Sequence, residues 1–285
     1  MKVLVTGLLG FTGAYLKAEL EMCGHSVWSL KADLLDLPAL VTEIGQAVPD
    51  AVVHLAGIAF VGHGDPNDFY RVNLMGTRNL LDALSQSKVQ LKCVLLASSA
   101  NIYGNADVAV ISEDTPPCPV NDYAVSKLSM EYMAKLWLDR LPIVIVRPFN
   151  YTGLGQSELF LLPKIVSHFQ RRTSCIELGN LDVARDFSDV RIVANIYRRI
   201  LETPIVVGNI FNVCSGRVHT LAAVLDMVSQ LANHRPEVWV NPAFVRANEV
   251  KVLLGSRAKL EATIGIVQDI PLEKTLEWML HGEKA

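Results

Sequence analysis

A tyrosine and a lysine four residues apart, Tyr123 and Lys127 in YAVSK, lie downstream of a hydroxyl pair, Ser98 and Ser99. Residues four apart share one face of a helix, so the Lys127 ammonium can sit near the Tyr123 phenol, directly or through a bound ribose. A cation there favours the phenolate and draws a group of reference pKa ~10 toward the working pH, as a general acid requires. A surface tyrosine and a solvated lysine have the same spacing in an arbitrary helix. Here LLASSANIYG reads as an apolar strand ending in two hydroxyls, the edge at which an open parallel sheet holds its ligands.

A second group of residues stands near the start of the chain. TGLLGFTG at Thr6–Gly13 follows the apolar run Val3, Leu4, Val5. A tight strand-to-helix turn needs positive φ, a pyrophosphate needs bare backbone, and an opening helix offers free N–H groups and the positive end of its dipole. Gly7, Gly10 and Gly13 meet those demands, and the following stretch from Thr12 to Met22 reads as a helix that stops at Gly24. A dinucleotide turn and a proton-transfer pair together describe an enzyme that moves a hydride; neither alone carries that conclusion.

The elements that must position these groups alternate. Lys2–Val5, Ser26–Leu30, Ala51–Leu55, Leu91–Leu96 and Pro142–Val146 are short and apolar, as parallel strands buried on both faces are. Helical patterns cover Leu37–Ala47, Asp68–Ser85 and Tyr123–Leu138. The link from Leu30 to Asp33 is too short for a full crossover helix. The fold class expected is α/β, a Rossmann-type doubly wound parallel sheet with a smaller, interleaved C-terminal substrate lobe. Residues 1–150 form the dinucleotide-binding part, re-entered at about 188–214 by a helix (Ile192–Leu201) and a strand (Ile210–Val213). Residues 151–187 and 215–285, in which glycines and prolines mark loops, form the lobe over the strand ends.

With 285 residues, 51% of them hydrophobic, the chain can bury a large core. A net charge of −3 with no basic run argues against nucleic acid or an anionic membrane surface. Five scattered cysteines lack metal or redox spacing, and seven histidines show no metal pattern. His54, at the end of a strand, reads as a satisfied core histidine. No apolar run spans a bilayer and no leader precedes the first strand, so a cytoplasmic protein is expected.

Five segments resemble the extended short-chain dehydrogenase/reductases of the nucleotide-sugar epimerase/dehydratase family. They are TGLLGFTG, HLAG (His54–Gly57), SSANIYG with YAVSK, RPFNYTGLGQ (Arg147–Gln156) and NLDVARDFSDVR (Asn180–Arg191). The last two, with NVCSGR and RANEVKVLLGS, are most similar to the branch that reduces GDP-4-keto-6-deoxy-D-mannose to GDP-D-rhamnose. The resemblance implies Ser99, Tyr123 and Lys127 as catalytic residues. It implies Gly7, Gly10, Phe11 and Gly13 at the pyrophosphate, Asp33 and Leu34 beside the adenine, and Ala56 and Gly57 beneath the nicotinamide side. For a nucleotide-diphosphate sugar it implies Ser99, Asn150, Arg185, Arg217, Arg246 and Glu249, forked cations suiting a diphosphate. It also implies a homodimer through the Tyr123–Leu138 helix, where Met130, Met133 and Trp137 recur at helical spacing but suit a core equally.

Two departures from the family pattern bear on the chemistry. Dehydratase relatives carry a glutamate base two residues after the catalytic hydroxyl, and this chain has Asn101, which cannot act as one. Reduction or epimerisation remains. The second strand ends in Ser29, Leu30 and Lys31, without the carboxylate that binds a ribose 2′-hydroxyl and repels a 2′-phosphate, so NADPH is expected, with NADH tolerated. A dTDP-sugar reductase, a 4-epimerase holding NAD, and a non-catalytic NADPH-sensing regulator stay open as alternatives.

Overall fold

The computed structural model describes residues 1–245 and 250–282. Its first half alternates strand and helix: β1 (Lys2–Thr6), α1 (Phe11–Met22), β2 (Ser26–Ser29), α2 (Leu37–Ala47) and β3 (Ala51–His54). A short α3 (Pro66–Asp68) leads through a π-helical run, Phe69–Gly76, into α4 (Thr77–Gln86), followed by β4 (Cys93–Ala97), α5 (Asp122–Ala134) and β5 (Ile143–Pro148). The second half contains β6 (Asn150–Thr152), α6 (Leu161–Gln170), β7 (Cys175–Leu178), β8 (Ala184–Asp189), α7 (Val190–Glu202) and β9 (Ile210–Val213). It ends with β10 (Val218–Thr220), α8 (Leu221–Ala232), β11 (Glu237–Val240), β12 (Val252–Leu253), α9 (Ala258–Ile264) and α10 (Leu272–His281). Among the described residues no helix is long and apolar enough to cross a membrane.

Six strands form one parallel sheet in the order β2-β1-β3-β4-β5-β9. Parallel neighbours need crossovers that cover the sheet on both faces. On one face, Leu16 and Leu20 of α1 and Val193 and Tyr197 of α7 pack on Val3, Val5 and Val53. On the other, Ile44, Leu81 and Met130 of α2, α4 and α5 pack on Leu4, Val52 and Val94. The strands thus end together at one carboxyl edge, where ligands of such sheets bind.

A doubly wound sheet of order 3-2-1-4-5-6 has two strands outside its first. Here only β2 lies outside β1, because the chain passes from Leu30 through Asp33 to α2 with no helix and strand of its own between them. β2 is therefore an edge strand, alternately exposed and half-buried, and not buried on both faces as its apolar sequence suggested. Trp28 is covered instead by the Lys2 ammonium, 4.8 Å from its ring centroid.

Two helices differ from their sequence patterns. The run read as one helix from Asp68 is π-helical from Phe69 to Gly76 before α4 begins. The Tyr123–Leu138 pattern is α-helical to Ala134 and tightens into a 3₁₀ turn, Lys135–Trp137. Met130 and Trp137 are buried in the core and Met133 packs against it, so this set serves the protein's own interior. Tyr132 and Leu136 face outward.

After β5 the chain enters a second assembly through β6, which pairs with β8; β8 is flanked by β10 and β12, while β7 pairs with β11. Phe169, Leu178, Val224 and Leu276 belong to its core. A small cluster containing Tyr103, Phe149, Cys214 and Leu253 joins it to the turn after β4.

The glycine turn shows how tightly the carboxyl edge is drawn. A Cβ on Gly13 would lie 2.4 Å from the carbonyl oxygens of both Gly7 and Leu8, whereas one on Gly45, in α2, would meet nothing within 4 Å. Gly13→Ala should therefore cost about 1–3 kcal/mol of stability by overpacking against backbone. Gly45→Ala should stabilise by about 0.4–1 kcal/mol through the unfolded chain. Urea titration of the two variants checks both signs.

Candidate functional site

Ser99 leaves β4 extended and caps the 3₁₀ turn Ala100–Tyr103. Its Oγ accepts from the backbone N–H and the side-chain amide of Asn101, each at 3.2 Å. With both lone pairs engaged, the hydroxyl proton is what Ser99 has left to give. The group it bonds is the phenol of Tyr123. Tyr123 sits in the first turn of α5, fixed by the Asn121 side chain, which accepts from the Ala124 N–H. Asn101, the amide that rules out a ring-proton base, thus holds the neighbouring hydroxyl.

Burial pushes the Tyr123 phenol up to about 12, the Ser99 bond opposing it. Burial also draws Lys127 down to about 8, against the Glu131 carboxylate. The Lys127 ammonium donates to the Ala97 carbonyl at 2.8 Å, at the end of β4. The lowering of the phenol expected from the four-residue spacing is therefore not found here. Desolvation outweighs it, and the lysine is turned toward a carbonyl.

The glycine turn reaches the same place. Gly7 has φ of +72°, and a Cβ on it would stand 2.8 Å from the Ala56 nitrogen; one on Gly57 would meet Asn73 Oδ1 at 2.7 Å and Lys127 Nζ at 3.5 Å. Gly7, Ala56, Gly57 and Lys127 therefore form one continuous wall. No side chain caps α1 at Gly10, so the first N–H groups of that helix are open to an anion. Bare backbone beside an uncapped helix start fits the diphosphate of a dinucleotide. Among the described residues no group of His, Cys, Asp and Glu is placed to hold a metal ion.

A buried relay joins this wall to the catalytic helix. The Thr77 hydroxyl donates to the Asn73 carbonyl at 2.7 Å, so it accepts from Nε2–H of His54 at 2.8 Å. His54 Nδ1 then accepts from the Thr6 hydroxyl at 2.7 Å, and Thr6 accepts from the Ala56 N–H at 3.0 Å. The Asn73 amide bonds the backbone of Ile58 through both its ends and donates to Ser126, whose hydroxyl donates to the Tyr123 carbonyl. His54 is a satisfied core histidine, and burial holds it neutral by lowering it to about 3. Asn73 and Thr77 carried no distinct sequence signal, and Thr6 and Ser126 lie inside the quoted motifs without a role of their own there. Their polarity within apolar stretches is the one clue they offer.

The remaining sequence candidates are spread more widely. Phe11 stacks on Tyr151, 6.2 Å between centroids, next to Asn150, which is exposed at the start of β6. Asp33 is exposed and closes a local turn on the Leu35 N–H, while Leu34 is buried against the α2–α4 core. Arg185 is largely buried, its Nη1 donating to the carbonyls of Ala184 and Lys251. Arg217 bonds Asp269. The two arginines stand on adjoining segments because the buried Asp186 carboxylate accepts from the N–H groups of Ser215 and Gly216. Arg246 and Glu249 lie outside the described residues.

The chain is similar to known proteins over most of its length. The family described as "NAD dependent epimerase/dehydratase family" matches residues 3–214. GDP-6-deoxy-D-talose 4-dehydrogenase of Aggregatibacter actinomycetemcomitans is 36% identical, covering 93% of this chain and 92% of that protein. GDP-6-deoxy-D-mannose reductase of Pseudomonas aeruginosa is 34% identical, covering 98% and 96%. Among solved structures, RMD from Pseudomonas aeruginosa complexed with NADPH has a TM-score of 0.89 at 31% identity, covering 98% and 97%. A candidate epimerase from Burkholderia cenocepacia J2315 has a TM-score of 0.92 at 50% identity, with the same coverage.

The neutral His54 has a consequence for acid stability. Its pKa is lower folded than unfolded, so its contribution is present above the unfolded value of about 6.5 and is lost as pH falls below it. Between pH 6 and 5 the chain should lose stability with a slope approaching about 1.4 kcal/mol per pH unit from this residue. Urea midpoints across that range should show the slope in the wild type and a shallower one in His54→Gln.

Proposed function

The chain belongs to the NAD dependent epimerase/dehydratase family, and from that premise we propose that it reduces the 4-keto group of a nucleotide-linked 4-keto-6-deoxy hexose. It is an oxidoreductase-type member of the extended short-chain dehydrogenases, acting on nucleotide sugars. The substrate we favour is GDP-4-keto-6-deoxy-D-mannose, giving GDP-D-rhamnose, since both curated relatives are named for a GDP-linked 6-deoxy hexose. The observation that carries the reading is the Ser99 hydroxyl, held by Asn101 with its proton directed at Tyr123.

A bound nicotinamide cofactor would supply the hydride. When substrate binds, Ser99 turns its single proton from the Tyr123 phenol to the ketone oxygen and orients it. Tyr123, a phenol protonated at neutral pH and held more firmly so by burial, delivers the proton to the emerging alkoxide. Lys127, beside Gly57, holds the cofactor ribose with its ammonium. Arg185 and Arg217 bind the diphosphate, for which Arg217 must exchange Asp269 for phosphate oxygens. With an amide at position 101, no carboxylate removes a ring proton.

NADPH is the favoured cofactor, with NADH accepted. β2 ends at Ser29 without a carboxylate. Glu43 does reach the following loop from α2, but both its oxygens already accept from the N–H groups of Lys31 and Ala32. The NADPH complex of the Pseudomonas aeruginosa structure supports the same choice. An epimerase reading is supported by the Burkholderia structure and by a UDP-glucose 4-epimerase of Corynebacterium glutamicum, 27% identical. It requires NAD that stays bound through purification, whereas a reductase exchanges its cofactor.

The test is a panel of GDP- and dTDP-linked 4-keto-6-deoxy sugars with NADPH or NADH, followed by absorbance and product NMR. Inactivity on all of them, with NAD retained on the purified chain, would sink the reductase reading. Tyr123→Phe should keep the fold and lower turnover ~10²–10⁴-fold; Ser99→Ala should lower it ~10²–10³-fold. We propose that a homodimer would form through the outward side of the Tyr123–Leu138 helix, where Tyr132 and Leu136 are exposed, together with Met75 from the π-helical run. Leu136→Asp should shift sedimentation from dimer to monomer without lowering the melting temperature.

A further inference from the structure

Arg147, on β5, is 5% exposed and grips Glu131, 2% exposed, through Nε at 2.9 Å and Nη2 at 2.6 Å. Glu131 follows Lys127 by four residues on α5, so the two share a helix face. The remaining fork of Arg147, Nη1, donates to the Tyr103 hydroxyl at 2.8 Å and to the Glu113 carbonyl at 3.4 Å. Tyr103 ends the 3₁₀ turn that Ser99 caps, and its hydroxyl donates to Asn212 on β9 at 2.8 Å. One guanidinium is therefore bonded both to the turn of Ser99 and to the helix of Tyr123 and Lys127.

A buried ion pair is a poor source of net stability, because desolvation offsets the attraction and apolar side chains of similar volume do as well or better. Its geometry is what an apolar pair would lack: a planar fork fixes distance and angle at two acceptors at once. Its charge matters too. The titratable and charged groups around Lys127 are Glu131 on its own helix, Tyr123 one turn back, His54 from β3, which is neutral, and Arg147 behind Glu131.

We propose that Arg147 and Glu131 are positioning residues for the reaction: Arg147 registers the Ser99 turn against the Tyr123–Lys127 helix, and Glu131 is the counter-charge that keeps Lys127 an ammonium in a dry site. This rests on the reductase reading for its catalytic half and on cofactor binding alone for its electrostatic half. Lys127 already lies at about 8 with Glu131 holding it up. Taking the carboxylate away removes an attraction and leaves Arg147 unbalanced nearby, and both effects favour the neutral amine.

The experiment is a fluorescence titration of NADPH onto the intact chain from pH 6.5 to 10, without sugar, for wild type, Glu131→Gln, Tyr103→Phe and Lys127→Met. Wild-type affinity should fall as pH rises through the Lys127 value; Lys127→Met should show no such limb. In Glu131→Gln the limb should move about one pH unit lower. Tyr103→Phe, which removes one hydroxyl and keeps the ion pair, should leave the limb in place; in a separate turnover assay with NADPH and GDP-4-keto-6-deoxy-D-mannose it should lower kcat ~10-fold with little change in KM, as a misregistered pair would. A Glu131→Gln limb coincident with the wild type, or a wild type with no limb, overturns the electrostatic half. Tyr103→Phe with wild-type kcat overturns the registering half, and serves should Glu131→Gln not fold. A wild type that shows the limb but reduces no nucleotide sugar would refute the reductase reading and leave the Glu131 assignment standing.

Discussion

Polar groups taken out of water must be satisfied in full, and this constraint governs the carboxyl edge of the sheet. Five parallel strands run without a break into that edge, and each ends in or beside a side chain that is buried and polar: Thr6, His54, Ser98, Ser99, Arg147 and Asn212. An unpartnered polar atom there costs a kilocalorie or more, and an unpaired charge costs more still. The side chains from α4, α5 and the turn after β4 that answer them are therefore set in place by the same bonds that hold the strand ends. Ser98 Oγ, which has no partner among the described residues, is the exception.

Two networks divide this work. The neutral one runs from Thr6 through His54, Thr77 and Asn73 to Ser126 and ties the glycine turn to the start of α5. The charged one, Glu131–Arg147–Tyr103, ties the middle of α5 to the turn of Ser99 and onward to β9. Between them α5 is held at Ser126 and Glu131, one to two turns apart, with Lys127 in the span and Tyr123 just before it. Little freedom remains for the phenol to leave the serine hydroxyl, and that immobility is what a positioned proton donor requires.

The second assembly is held on by similar means. Asp186, fully buried, accepts from Ser215 and Gly216 and so joins β8 to the segment that carries Arg217. Burial raises its carboxyl, and the four hydrogen bonds it accepts work against that rise. The carboxylate thus fixes backbone next to two arginines whose side chains face protein acceptors. Those arginines are cations already engaged, so an anion there has to compete with carbonyls and with Asp269.

The alternation of apolar strands and amphipathic helices was legible in the chain because burial on a sheet or a helix face writes its own period into the sequence. So were the glycine turn and the Tyr123–Lys127 pair, whose spacing is local. The short link after Leu30 showed that a full crossover helix was absent there; that this leaves a single strand outside β1 came from the sheet order. Tertiary structure alone decided what lies far apart in sequence. It left β2 half-exposed at the edge and turned Met130 and Trp137 inward. It bent the Phe69–Gly76 helix to a π geometry, and it aimed Lys127 at a backbone carbonyl instead of at the phenol. It also brought Asn73, Thr77, Arg147 and Glu131 to the site. Desolvation and hydrogen-bond pairing are set by which groups converge in space, and no local spacing along the chain encodes that convergence.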